Sequence, residues 1–161
     1  MRRDIEVTEI TITTHCHATE DIEKVKKAFL NVIPRELHGS TKIDIEVLHG
    51  YYGNPITKLK SRFKNNEAIQ VLKHILSLLS KSDISYILSS LELRYYKKSN
   101  KIYLRLDKQA AYLGRLALYE GDDAIVVEIS FSVLKSLEAV KEYINRLYME
   151  LQNVDRSISS S

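Results

Sequence analysis

Four basic residues occupy every second position after Pro55: Lys58, Lys60, Arg62 and Lys64. Side chains two positions apart share one face of a β-strand. An extended conformation therefore places four cations in one row, and no carboxylate interrupts residues 51–66. Such a row can contact the phosphates of a nucleic acid, and a helix beginning near Asn66 would add free backbone N–H groups. The alternative is an edge strand whose lysines prevent pairing with other chains.

A turn with three ring-bearing residues precedes the row: His49, Tyr51 and Tyr52. The glycines, asparagine and proline of the same segment supply turn geometry. Exposed aromatic rings can stack on nucleobases, which contributes roughly 1–3 kcal/mol per base. We therefore include these three residues among the candidate RNA contacts. The alternative is that one tyrosine packs over the hairpin and closes the edge of the core.

The segment RLDKQAAYLG, residues 105–114, combines polar donors with two alanines. Arg105, Lys108 and Gln109 can donate hydrogen bonds to phosphates and base edges. Small residues beside them allow another backbone to approach closely. We therefore add these three residues to the candidate RNA contacts. The alternative is a structural corner that joins two strands, in which Asp107 caps a short helical turn over residues 108–112.

Motifs for catalysis and metal binding are weak. His15 and His17 share one face of an extended strand, and His49 ends a strand that can lie beside it. A zinc site in a metal-dependent hydrolase is therefore a remote alternative. The carboxylates around Gly121 are interpreted as an acidic turn, and Cys16 has no base partner. We predict a protein that is not an enzyme and has no cofactor and no metal.

Size and composition favour one globular domain. The chain has 161 residues, of which 44% are apolar and 28% charged, with a net charge of +3. We assign residues 1–152 to a single α+β domain and residues 153–161 to a disordered polar tail. The single Cys16 excludes an internal disulfide. No signal peptide and no apolar run of the roughly 20 residues that span a bilayer is present, so we expect a cytoplasmic protein without membrane contact.

The order of predicted elements favours an α+β fold. Alternating apolar residues predict strands near residues 4–16, 43–47, 56–64, 91–95, 102–106, 113–119 and 125–131, with a bulge near Thr8. Helical spacing predicts helices capped by Thr19, by Asn65 or Asn66, and by Ser82 or Asp83, and a last helix over residues 134–151. Hairpins outnumber crossovers. We therefore predict two layers, a mostly antiparallel sheet with helices packed on one face and the other face partly free.

Three stretches together resemble a known family: HATED at residues 17–21, HGYYGNPI at 49–56 and LRLDKQAAYLG at 104–114. Their order and spacing are similar to those of an archaeal family described as RNA-binding and as a predicted exosome subunit. The resemblance covers about residues 4–150. It implies a fold similar to that of the ribosomal protein that binds 5S rRNA, and RNA binding as the role. It supplies no catalytic residues.

These observations together predict a non-catalytic RNA-binding protein that serves as an accessory factor of RNA processing or degradation. Its expected partners are RNA and the exosome or other RNA-processing proteins. The alternative is a protein-interaction adaptor of such a complex, which docks through the free sheet face or through Tyr143 and Tyr148 of the last helix. The sequence predicts no oligomeric state.

Overall fold

Six strands and six α-helices lie within residues 5–50, 52–96, 98–132 and 136–159, which the computed structural model describes. The strands are β1 (Val7–Cys16), β2 (Asp44–His49), β3 (Pro55–Lys64), β4 (Tyr95–Tyr96), β5 (Lys101–Leu106) and β6 (Ile125–Phe131). The helices are α1 (Ile22–Asn31), α2 (Asn66–Leu78), α3 (Lys81–Ser89), α4 (Leu91–Arg94), α5 (Lys108–Tyr112) and α6 (Leu137–Ser159), and a 3₁₀ helix at Arg35–Ser40 follows α1.

The strands form one antiparallel sheet in the order β2-β3-β1-β6-β5-β4. The predicted hairpin of β2 and β3 is confirmed. The pairing of β1 with β6 shifts between Val7 and Glu9, which confirms the predicted bulge near Thr8. The α+β class with a mostly antiparallel sheet is therefore confirmed.

One face of the sheet is covered by helices. The buried side chains on that face include Ile10, Ile12, Leu59, Phe63, Leu104, Val127 and Ile129. Phe29 of α1, Leu72 of α2 and Val140 of α6 belong to the same core. Burial of each large apolar side chain stabilises the fold by about 1.5–3 kcal/mol, which holds the helix layer on this face. Because successive side chains alternate, the polar positions between the core residues form a second, open face.

Two predicted strands are wrong. Residues 91–94 form α4, in which the Ser90 carbonyl accepts the Leu93 N–H at 3.0 Å. Leu91 is buried while Leu93 is 87% exposed, whereas a strand would place both on one face. Residues 113–119 contribute only an isolated bridge from Leu118 to β5, because Gly114, at φ +84°, ends α5 and redirects the chain.

The helix ends also differ from prediction. Asp21, not Thr19, caps α1, and its carboxylate accepts the Glu23 N–H at 2.9 Å. α3 begins after Ser80, two or three residues earlier than predicted, because the Ser80 hydroxyl caps the helix. α6 continues to Ser159 and so includes most of the segment that the sequence assigned to a polar tail.

Candidate nucleic-acid interface

β3 carries the predicted row of cations. The strand is extended from Pro55 to Lys64, with Leu59, Ser61 and Phe63 buried against the helix layer. The four basic side chains therefore lie on the open face. β3 pairs with β1 on one side and β2 on the other, so it is an interior strand. The alternative that its lysines protect a sheet edge is wrong, because the edge belongs to β2.

An ion pair reduces the charge of the row. Arg62 Nε lies 2.9 Å from Glu9 Oε1 of β1, the strand beside it. Both side chains are partly exposed, at 54% and 32%, so the pair contributes little stability. It does, however, neutralise the guanidinium. The sequence of the segment contains no carboxylate, and only strand pairing places one there.

The lysines of the row face carboxylates on β2. Glu46 lies directly opposite Lys58, and Asp44 lies directly opposite Lys60. Lys58, Lys60 and Lys64 nevertheless make no ion pair within 4.0 Å anywhere in the described part of the chain. Three ammonium groups of the row therefore have no close carboxylate partner, although the acids of β2 moderate the field around two of them.

The row ends at the start of α2. Asn65 connects the two elements at φ +54°, and its side chain caps none of the helix N–H groups. Its own N–H donates to the Thr8 carbonyl at 2.9 Å. A cleft of about 500 Å³ opens at this point, and it is lined by Arg62, Lys64, Asn65, Asn66 and Glu67. The positive end of the helix dipole therefore lies beside the last cations of the row, as predicted.

The β2–β3 hairpin presents part of the predicted ring cluster. Tyr52 is 88% exposed at the tip, and His49 is exposed at the end of β2, opposite Pro55. The turn is closed by the Gly50 N–H, which donates to the Asn54 carbonyl at 2.8 Å. Tyr51 lies outside the described residues, so its contact with RNA stays a prediction.

Lys108 is held inside the protein. Its ammonium donates to Asp123 Oδ1 at 2.7 Å, to Glu20 Oε1 at 3.0 Å and to the His15 carbonyl. The side chain is 10% exposed. An ammonium has three donors, and each has an acceptor here. Lys108 therefore ties the end of β1 to the start of α1 and to the loop before β6, and we leave it out of the RNA contacts proposed below.

Burial and the charges around Lys108 change the pKa values of three nearby groups, Asp123, His15 and Cys16. Burial alone would raise the pKa of the Asp123 carboxyl, but the hydrogen bond and charge of Lys108, aided by His17, hold that pKa below its ordinary value. Burial lowers the pKa of His15, and the charge of Lys58 lowers it further, so this imidazole is neutral near pH 7. Burial raises the pKa of the Cys16 thiol, which disfavours a reactive thiolate.

Arg105 and Gln109 are more accessible. The Arg105 side chain is 45% exposed on the open face, where Nη1 donates to the Gly121 carbonyl at 3.0 Å and lies 3.7 Å from Asp122 Oδ1. Gln109 is exposed in the first turn of α5, beside a cleft of about 420 Å³. Asp107 accepts the Gln109 N–H at 2.9 Å, so the predicted cap is confirmed.

A tyrosine cleft at the far side of the open face was missed by the sequence analysis. It has a volume of about 580 Å³ and is lined by Tyr86, Ser90, Leu93, Arg94, Tyr96, Tyr103, Arg105, Glu120 and Val126. Tyr103 could have been placed there, because it alternates with the apolar residues of β5. Tyr96 and Arg94 could not, since the helical turn of α4 was predicted to be a strand.

The histidines of the remote zinc alternative do not converge. Within the described residues, only His17, Glu20 and Asp123 form a group whose ligand atoms lie close enough to share an ion. His17 Nε2 lies 3.3 Å from Asp123 Oδ1. The Lys108 ammonium already lies between the two carboxylates and supplies the positive charge there.

The fold and this surface define a class of protein: one antiparallel sheet with helices on one face and cations and tyrosines on the other. RNA-binding domains commonly use an open sheet face of this kind. The chain belongs to a family described as RNA binding, whose model matches residues 9–131. The resemblance to an archaeal RNA-binding family is therefore confirmed.

Similar proteins span nearly the whole chain. RNA-binding protein PAB1135 of Pyrococcus abyssi is 35% identical over 152 residues, which cover 89% of this chain and 97% of that protein. An uncharacterized protein of Methanocaldococcus jannaschii is 37% identical over 142 residues, covering 84% and 93% respectively. The crystal structure of protein AF2318 from Archaeoglobus fulgidus has a TM-score of 0.74 at 33% identity and covers 88% of this chain and 99% of its own.

Two further predictions concern contact with membranes and similarity to the fold of a ribosomal protein. Within the described ranges, each helix is too short or too polar to span a lipid bilayer. The similarity to the fold of the ribosomal protein that binds 5S rRNA stays a prediction.

Proposed function

We propose that this protein binds RNA without catalysing its cleavage, through contacts between the lysines of β3 and the sugar–phosphate backbone. The observation that carries the proposal is the position of Lys58, Lys60 and Lys64 on the open face of an interior strand, without close carboxylate partners among the described residues. Membership in the RNA-binding family supports the same function. So does the relative from Pyrococcus abyssi, which is named an RNA-binding protein.

We expect three phosphate contacts, one fewer than the number of cations in the row. Arg62 is left out of this count because the Glu9 carboxylate, 2.9 Å from Nε, offsets its positive charge. Each phosphate contact on a single strand contributes about −0.7 to the slope of log affinity against log salt concentration. Three lysines therefore predict a slope of about −2, whereas four free cations would give about −3.

The test is a variant in which Lys60 and Lys64 are both changed to glutamine. Neutral substitutions are preferable to charge reversal, since a glutamate at position 60 would lie opposite Asp44. The matched control is Lys73→Gln with Lys81→Gln, two exposed lysines on α2 and α3. Both double variants lower the formal net charge by two, from +3 to +1.

We expect the variant in β3 to bind unrelated RNA sequences more weakly, with a slope near −0.7, while the control keeps a slope near −2. Fluorescence anisotropy at several salt concentrations measures both. Equal affinities and slopes for the two double variants would contradict the assignment of β3. Labelled RNA should also remain intact with Mg²⁺ or Zn²⁺, and cleavage that His17→Asn abolishes would favour a hydrolase.

We further propose a role as an accessory factor of RNA processing or degradation, in association with the exosome or a similar assembly. The observation that favours an adaptor contact is the edge strand β2, on which Ile45 and Val47 are 54% and 59% exposed. An apolar edge strand is a common site of strand addition by a partner. The contact predicted at Tyr143 is not available, because this residue is buried against Phe131.

Binding to purified exosome proteins tests this role. We expect an association that persists after nuclease treatment and that Ile45→Thr with Val47→Thr weakens. Loss of the association on nuclease treatment would show that RNA alone bridges the proteins and would contradict an adaptor contact.

A further inference from the structure

We propose that the tyrosine cleft between α3, α4 and β5 binds an unpaired nucleobase, so that a single RNA strand crosses the open face from the lysines of β3 to this cleft. This inference rests on the proposed function, and it specifies single-stranded RNA as the ligand class. It assigns a base-binding role to Tyr96 and Tyr103.

The cleft has the size of a small-ligand site, and tyrosine rings contribute to its lining. Its volume of about 580 Å³ lies within the range of roughly 300–1,000 Å³ that is usual for such sites. Tyr96 is 64% exposed, although it lies in a sheet. Its ring meets that of Tyr103 edge to face, with centroids 5.5 Å apart and planes at 66°. The two rings therefore do not stack on each other, and aromatic faces are left for a third ring.

The wall of the cleft contains a guanidinium with unused donors. The Arg94 side chain is 10% exposed. It donates through Nε to the Ser90 hydroxyl at 2.9 Å and through Nη2 to Glu120 at 3.4 Å, and it lies 5.3 Å from the centre of the Tyr86 ring. Two of its five N–H donors are therefore used by the described residues. The remaining N–H donors can reach hydrogen-bond acceptors on the edge of a base. An apolar peptide side chain would offer no such acceptors.

The strand register connects the cleft to the row of cations. One line of directly opposed residues runs from Lys60 through Thr13 and Val126 to Arg105. These residues lie on four neighbouring strands, so the line spans three strand spacings, or about 14 Å. The two residues between the cations are uncharged, so the path carries no repulsive carboxylate.

The next line of the register contains an acid that is already paired. It runs from Arg62 through Thr11 and Glu128 to Tyr103. Glu128 Oε2 lies 3.4 Å from the Lys101 ammonium, which offsets its repulsion of a phosphate. Cations lie at one side, uncharged residues and the paired Glu128 lie between, and rings lie at the other side. This order fits one strand whose backbone starts at β3 and whose base enters the cleft. A duplex does not fit in this way, because its bases are stacked on each other.

The test compares two double variants on two RNAs. Tyr96→Leu with Tyr103→Leu removes both rings but keeps apolar bulk, and Tyr96→Phe with Tyr103→Phe keeps the rings as the matched control. The probes are an oligouridylate, which is unpaired, and a fully paired RNA duplex. Because stacking contributes roughly 1–3 kcal/mol per base, we expect the leucine variant to bind oligouridylate about 5- to 150-fold more weakly. The phenylalanine variant should remain within about twofold, with duplex affinity unchanged in both.

Several results would overturn the inference. They are an oligouridylate affinity of the leucine variant equal to that of the wild type, an equal loss in the phenylalanine variant, or an equal loss on the duplex. Loss of binding to a purified protein partner, with RNA affinity intact, would instead make the cleft a protein-docking site. Failure of the wild type to bind any RNA would reject the proposed function itself, which is a separate outcome.

Crosslinking of the unmodified protein makes the test independent of how the variants fold. Oligouridylate that carries a photoreactive uridine should crosslink to peptides that contain Tyr96 or Tyr103. Efficient crosslinking in which neither peptide is labelled would exclude the cleft.

Discussion

Replacing Lys108 with methionine tests whether this residue is a structural tie or, as its sequence context suggests, an RNA contact. The change keeps the apolar stem and removes the ammonium that joins three parts of the chain. The carboxylates of Glu20 and Asp123 would then face each other without a cation, and the His15 carbonyl would lose its donor. The expected result is therefore a loss of stability.

The magnitude follows from the exposure of the partners. Hydrogen bonds to charged groups contribute about 1.5–3 kcal/mol, and removal of one partner from a fully buried ion pair costs about 3–5 kcal/mol. The side chains of Glu20 and Asp123 are 29% and 50% exposed, so water screens them in part. We therefore expect a loss of about 2–3 kcal/mol, or a fall in Tm of roughly 4–12 °C for a chain of this length.

Urea unfolding of the wild type and of Lys108→Met at several pH values measures the effect. The folded-state pKa of Asp123 is depressed, so its contribution to stability is present above the unfolded pKa near 3.9 and is lost as the pH falls through the folded value. The difference between the two proteins should therefore be largest near neutral pH and decrease below about pH 4. Lys24→Met, an exposed change on α1, is the control and should change stability by less than about 0.5 kcal/mol.

The RNA arm of the same experiment separates the two roles. Folded Lys108→Met should keep the wild-type salt dependence of RNA binding. The reasoning would be refuted by a variant that is as stable as the wild type but whose slope of log RNA affinity against log salt concentration is flatter by about 0.7. Lys108 would then be a phosphate ligand.

Two further predictions concern β3 and its junction with α2. Leu59→Ala should lower the free energy of unfolding by about 2–5 kcal/mol, because Leu59 is fully buried, while Lys60→Ala on the open face should change it by less than about 0.5 kcal/mol. Equal effects in chemical denaturation would show that the strand faces are assigned incorrectly. Asn65→Gly should raise stability by about 1 kcal/mol, because Asn65 is held at φ +54° and ψ −121°. Asn66→Gly, at the first residue of α2, should lower stability in thermal unfolding. A loss of stability in Asn65→Gly together with a gain in Asn66→Gly would contradict the conformation at this junction.

Local patterns predicted the elements whose signal is contained in a few neighbouring residues. The alternation in β3 and β6 and the apolar stripe of α2 correspond to observed elements. At residues 91–95 the local pattern fits two different structures. Leu91, Leu93 and Tyr95 alternate as a strand would, but one helical turn after Ser90 satisfies the same short pattern. An apolar run of this length does not distinguish the two structures.

The candidate site was predicted only in part. Three lysines of the row remain without close carboxylates among the described residues, but the acids of neighbouring strands and the burial of Lys108 were invisible in the sequence. The tyrosine cleft was also missed, because residues 91–94, which were predicted to be a strand, form the helical turn α4 that supplies Leu93 and Arg94 to its wall. The acids near the row and around Lys108 come from other parts of the chain, and sequence spacing gives no information on such contacts.

The sequence by itself determined which side chains of β3 share a face, because the period of two is a property of the strand backbone. It also determined that the basic face opposes the core, since Leu59 and Phe63 must be buried. Only the tertiary structure decided that β3 lies inside the sheet, that Glu9 pairs with Arg62, and that two carboxylates surround Lys108. Those outcomes depend on contacts between residues far apart in the chain, and their free energy comes from the packing of the whole sheet against its helices.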